Sequence, residues 1–176
     1  MLLRLRRRAR QETVERLYGA IVAQARHPDF YAALAVPDTV AGRFDLIVLH
    51  VFLLFRRLAG EGADAQALGQ HVFDRFVEDM DDSLREMGTG DLAVPKRLRV
   101  MGEAFYGRAA AYDAALAESG NDGLAAALLR NVYGGNTKAS ARELAHYVRR
   151  SVAELAAQEA AEIARGHTRF PAPLEG

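Results

Sequence analysis

Glu143-x-x-His146 has the spacing that sets a carboxylate and an imidazole on one helix face. Helical di-metal proteins use that pair twice, together with two further inward glutamates. This chain has one copy, beside Arg142, Arg149 and Arg150, so it reads as a solvated polar face. The acids Asp74, Glu78, Asp79, Asp81, Asp82, Glu86 and Asp91 are dense enough for acid–base work or a hard cation. They fall on a predicted helix, where they splay along a stripe instead of converging as in a calcium loop. That stripe is either a solvated face or a docking surface for a basic partner segment. His50 sits inside an apolar run and reads as a neutral core histidine rather than a ligand. His71, near Asp74 and Arg75, shows no nucleophile–base pair. Gly134-Gly135-Asn136-Thr137-Lys138 has no preceding strand, and Ala139 stands where a phosphate loop needs Ser or Thr. Ser83, Ser119, Ser140 and Ser151 lack the strained elbow of a hydrolase nucleophile. Cysteine is absent, which removes thiolate zinc sites, thiol nucleophiles and disulfides. The expectation is a protein with no catalytic residue, no metal and no cofactor.

The elements that would position these groups are helices. The chain has 176 residues, half of them hydrophobic and about a quarter charged, which suits one compact domain with a sizeable core. Alanine, leucine, arginine and glutamate abound, and all are good helix formers. No run of alternating β-branched residues interrupts them. The predicted fold is an all-α, compact single-domain bundle of about six to seven helices with a buried central helix. Its organisation would be a basic segment over residues 1–11, a helical domain over 12–165 and a loose tail over 166–176.

Val14, Leu17, Tyr18, Ile21 and Ala25 recur at helical spacing and predict a first helix from Glu12 to Arg26, ended by His27-Pro28. A short helix opens at Asp29. The central helix, Asp38 to Ala59, contains the run LIVLHVFLLF over residues 46–55. Ten helical residues reach only ~15 Å, about half of a ~30 Å hydrocarbon core, so this run is core rather than a membrane span. A fourth helix, Asp64 to Met87, carries Phe73, Phe76, Met80, Leu84 and Met87 on one side. A fifth, from Leu92 to Ala117, would use Asp91 as N-cap and Pro95 in its first turn, with Val94, Leu98, Met101 and Phe105 as its stripe. A shorter helix runs to Tyr133. The last, Ser140 to Arg165, buries Leu144, Val148, Val152, Leu155 and Ile163.

The 23 basic and 23 acidic side chains cancel, which argues against a domain that coats nucleic acid through its overall field. The local distribution is uneven. Arg4, Arg6, Arg7, Arg8 and Arg10 fall within the first ten residues, which hold no acid. No apolar stretch or cleavage site follows them, so they do not form a secretory signal, and the expected location is cytoplasmic. This start is either a solvated, frayed turn or, with Leu2, Leu3 and Leu5, an electrostatic contact to membrane or ribosome at the cytoplasmic face of the inner membrane.

Residues 84–108 read LREMGTGDLAVPKRLRVMGEAFYGR. A helix stop, a cap, a proline, a basic pair and an aromatic pair follow one another, a composition suited to gripping a peptide. The segment resembles the ubiquinol–cytochrome c chaperone family, assembly factors of respiratory complex III. The resemblance rests on Leu84-Arg85-Glu86-Met87-Gly88, Gly90-Asp91, Val94-Pro95-Lys96 and Phe105-Tyr106-Gly107-Arg108. Upstream it includes Arg26-His27-Pro28-x-Phe30-Tyr31, Val36-Pro37-Asp38-Thr39, Gly42-Arg43-Phe44-Asp45 and Leu49-His50. It covers about residues 12 to 150. Leu98-Arg99 departs from the methionine-basic pair expected there, and the arginine-rich start has no counterpart.

The resemblance implies a helical, non-enzymatic, bacterial-type chaperone that binds newly made cytochrome b, in mitochondria with a small co-chaperone. Client contact would fall to Lys96, Arg97, Phe105, Tyr106 and Arg108, with Glu78 and Asp82 alongside, although Phe105 also suits core packing. Gly88, Gly90, Asp91, Pro95 and Gly107 would shape the corner. Two other classes stay open: a helical cofactor- or metal-binding protein, and a regulatory module with a soluble partner.

Overall fold

The computed structural model describes residues 2–136 and 138–174, with the side chains of Leu2, Leu3, Leu5, Arg6, Lys138 and Ala139 outside the description. Among the described residues the regular structure is wholly helical. It comprises α1 (Leu2–Ala25), α2 (Asp29–Ala32), α3 (Val40–Ala59), α4 (Ala63–Glu86), α5 (Val94–Ala117), α6 (Asp122–Asn131), α7 (Lys138–Ala157) and α8 (Ala160–Ile163). Six are long and two are single turns, so the all-α bundle expected from composition is what forms.

The apolar run places α3 at the centre. Leu46 through Leu54 are all buried, and α1, α4, α5 and α7 pack around them. The entry to α3 is fixed locally. Thr39 Oγ1 accepts from the Gly42 amide at 3.1 Å, a side-chain N-cap. A Cβ at Gly42 would stand 2.0 Å from the Pro37 carbonyl oxygen, so the turn that brings Pro37 across the helix start requires glycine.

The exit from α3 settles the far end of the bundle. Arg57 Nε donates to the Leu155 carbonyl at 2.7 Å, and its NH2 donates to the Gln158 carbonyl at 2.9 Å. These are carbonyls that a helix end leaves without intrahelical partners. The expected single last helix, Ser140 to Arg165, is therefore two, broken at Gln158 and Glu159. No glycine or proline marks that break; an arginine about 100 positions away does.

The two ends of the chain also differ from expectation. Helix α1 does not start at Glu12 but runs without interruption from Leu2. The tail is not loose through Leu174. Gln24 Nε2 donates to the Pro171 carbonyl at 2.8 Å, and Arg150 NH2 donates to the Pro173 carbonyl at 2.9 Å. The Phe170 ring meets His50 edge-on, with centroids 5.1 Å apart.

His50 lies wholly buried in α3 and is satisfied at both nitrogens. Nδ1 lies 2.7 Å from the Leu46 carbonyl, which it can approach only as a donor. Nε2 lies 2.7 Å from the Tyr147 hydroxyl and accepts from it. Gln24 Nε2 adds a bond to the same hydroxyl at 3.1 Å. Burial pushes the imidazole down from 6.5 to about 4, against the pull of the Leu46 carbonyl, so it is neutral at physiological pH. Phe30, Tyr147 and Phe170 surround it. The ring ties α1, α3, α7 and the tail together as a core histidine.

Candidate functional site

The corner between α4 and α5 is built by backbone hydrogen bonds. Gly88 takes φ +81°, the left-handed conformation that ends many helices. The Thr89 amide donates back to the Leu84 carbonyl at 3.0 Å, and the Gly88 amide to the Arg85 carbonyl at 2.9 Å. That pair of bonds closes α4 as a Schellman motif. The Gly90 carbonyl then accepts from the Ala93 amide at 2.8 Å, which turns the chain into α5. Pro95 sits in the first turn of α5, where no amide hydrogen is needed.

Asp91 does not cap α5. The N-cap is Ala93, without a side-chain cap bond, and the helix starts at Val94 rather than Leu92. The Asp91 carboxylate is drawn instead to Arg85, which also binds Asp81 at 2.7 Å. Arg97 NH1 donates to Thr89 Oγ1 at 3.0 Å, a second brace across the corner. Gly107 faces open space, where a Cβ would meet nothing within 4 Å, so packing does not require glycine there.

The predicted contact residues divide. Lys96 and Arg97 are exposed on α5, and Glu78 and Asp82 are exposed on α4. Tyr106 is 54% exposed, with one face of its ring against Phe73 at 5.7 Å. Phe105 is 2% exposed and lies among the rings of Phe55, Phe73 and Phe76. Arg108 is paired with Asp45 of α3, and neither side chain is more than a quarter exposed. Burial pushes the Asp45 carboxyl up, and the Arg108 guanidinium pulls it back down. Phe105 and Arg108 therefore hold the corner to the core.

The two motifs at Gly42–Asp45 and Phe105–Arg108 meet in space. Phe44 stacks on Phe76 at 5.9 Å, Phe76 lies 6.3 Å from Phe105, and Arg108 closes on Asp45.

The structure adds three side chains to this surface. Leu92 is 100% exposed, Met87 57% and Val100 52%. Met87 stands just past the last turn of α4 and not on its apolar side. Val100 lies off the Val94–Leu98–Met101–Phe105 stripe, so a valine on the polar arc was a legible signal. Leu92, a leucine in a turn, was another. With Tyr106 they are exposed apolar side chains on the turn and on α5, the helix that also carries the exposed Lys96, Arg97 and Arg99. Exposed apolar groups rimmed by polar ones mark interaction sites.

At the start of α1, Arg4, Arg7, Arg8 and Arg10 are exposed; the Arg6 side chain lies outside the described residues. The Glu143–His146 pair gathers no ligand set. His146 is exposed beside Asn121, and among the described residues no three His, Asp or Glu side chains could hold a metal ion. Among those residues no helix is long and apolar enough to cross a membrane.

Comparison with known proteins is consistent in direction. A family profile described as ubiquinol-cytochrome C chaperone matches residues 32–170. Ubiquinol-cytochrome-c reductase complex assembly factor 1 from Xenopus laevis is 28% identical over 117 residues, 66% of this chain and 58% of that protein. The mouse and human proteins of the same name are each 28% identical over 118 residues, 67% of this chain but 40% and 39% of those proteins. The chain thus spans about half the length of these relatives. A crystal structure of the Cbp3 homolog from Brucella abortus is 40% identical, covers 98% of both chains and superposes with a TM-score of 0.89.

Proposed function

The chain belongs to the ubiquinol–cytochrome c chaperone family, and from that membership we propose that it holds newly made cytochrome b during assembly of ubiquinol–cytochrome c reductase. Its relatives are named as assembly factors of that complex, a non-enzymatic role. The family match over residues 32–170 carries the reading.

The client surface in this proposal is the α4–α5 corner. Met87, Leu92, Val100 and Tyr106 supply apolar contact, and Lys96, Arg97 and Arg99 supply cations at the rim. A membrane protein segment outside its bilayer is apolar with polar or charged flanks. The corner offers the complement of both. Affinity would concentrate in Tyr106 and the arginines Arg97 and Arg99, because tyrosine and arginine are the side chains that most often dominate interfaces. Glu78 and Asp82, one helix away, would meet basic residues of the client or of a small co-chaperone.

Deleting the gene and pulling down the tagged protein test this together. The proposal expects cytochrome b in the pull-down and a deficit of assembled complex without the protein. A pull-down free of cytochrome b, with complex assembly normal in the deletion, would overturn it.

A further inference from the structure

Helix α1 overshoots the fold. Its buried residues begin at Val14 and recur at Leu17, Tyr18, Ile21 and Ala25. The described side chains before Thr13 are exposed. Eleven residues precede Thr13 in the helix, a reach of ~16 Å.

The stripe that is apolar inside the bundle changes character beyond it. Stepping back from Val14 by four and by seven residues gives Arg10 and Arg7. The face that packs downstream is thus cationic upstream: Arg10 still borders a cavity shared with Leu58, Glu61, Asp64 and Leu68, while Arg4 and Arg7 are not part of that lining. Arg4, Arg7 and Arg10 form no ion pair among the described residues, while Arg8 binds Glu12 at 3.1 Å. The first turn holds no acid, so the cations sit at the positive end of the helix dipole, where they oppose helix formation in water. An anionic surface reverses that penalty.

We propose that the N-terminal turns of α1 dock on an anionic lipid surface. The charge is complementary, and Leu2, Leu3 and Leu5 in the same ten residues suit an interface with an apolar layer beneath its headgroups. RNA is the weaker occupant: the segment has no aromatic residue for base stacking, and the chain as a whole carries no net charge. Such docking would keep the α4–α5 corner near membranes whether or not cytochrome b is the client.

Co-sedimentation of the full chain with vesicles tests this, using phosphatidylcholine alone and phosphatidylcholine with about a third phosphatidylglycerol. Binding to the anionic vesicles only, lost at high salt, is expected. Each arginine near such a surface is worth about a fivefold change in partitioning. The Arg4→Gln/Arg7→Gln/Arg10→Gln variant should therefore bind ~100-fold more weakly while its circular dichroism shows the bundle intact. Equal binding to both vesicle types, or an unchanged triple variant, would overturn the proposal. So would sedimentation with ribosomes but not with vesicles, which would put RNA in place of lipid.

Discussion

Around His50 the bundle buries polar groups and bonds them; at the α4–α5 corner it leaves apolar groups in water. Gln24, His50 and Tyr147 come from three helices and meet within hydrogen-bond distance, closed over by Phe30 and Phe170. Met87, Leu92 and Val100 lie in the turn and on α5, and more than half of each is exposed. Burying a polar group is tolerated only when it is paired, and exposing a leucine forgoes the stabilisation of burial. The His50 end therefore looks inward, as a lock on tertiary structure. The corner leaves apolar side chains in water, as interaction sites do. Within the corner the division recurs between neighbours: Phe105 faces the core and Tyr106 faces out.

Phe105→Ala should give the largest effect, a stability loss of about 3–5 kcal/mol by urea denaturation, because it opens a cavity among the rings of Phe55, Phe73 and Phe76. Tyr106→Ala should stay within about 1 kcal/mol. Similar losses for the two would erase the division drawn between them.

Acid should weaken the His50 end next. The unfolded chain protonates His50 as pH falls below 6.5, whereas the folded chain refuses the proton until about 4. Stability from neutral His50 is complete above pH 6.5 and lost as pH falls toward 4, at about 1.4 kcal/mol per unit and roughly 3 kcal/mol in all. His50→Gln should flatten that part of the pH dependence, measured by urea midpoints between pH 7 and 4.5. An unchanged slope would show that His50 is not held neutral.

Tyr147→Phe should cost about 1–3 kcal/mol, since it strips a donor from His50 Nε2 and a partner from Gln24. Thermal melts of the two chains measure it. The smallest effect on stability belongs to Leu92→Asp/Val100→Asp. It should stay within about 0.5 kcal/mol by the same melts, because Leu92 is wholly exposed and Val100 about half exposed. A large loss there would mean that the corner is core after all.

The sequence made much of the fold legible because the dominant signals are local. The stripes Val14–Ala25 and Val94–Phe105 and the stops at Pro28 and Gly88 act over a few residues, and the helices follow them. What it hid is long-range. The break in the last helix depends on Arg57 reaching Leu155 and Gln158, and the fixed tail depends on Gln24 and Arg150. Asp91 had the right identity and place for a cap, but Arg85 competes for its carboxylate. At the corner, the exposed side chains were legible and the buried ones were not. The turn, Lys96, Arg97 and Tyr106 could be read from residue types, whereas the inward turn of Phe105 and Arg108 depends on Phe73 and Asp45 in other helices.

Capture of newly synthesised cytochrome b by the Leu92→Asp/Val100→Asp chain tests the central claim most directly. With folding confirmed by an unchanged melt, the account predicts at least a tenfold drop in recovery relative to the unaltered protein. Recovery equal to that of the unaltered protein would contradict it.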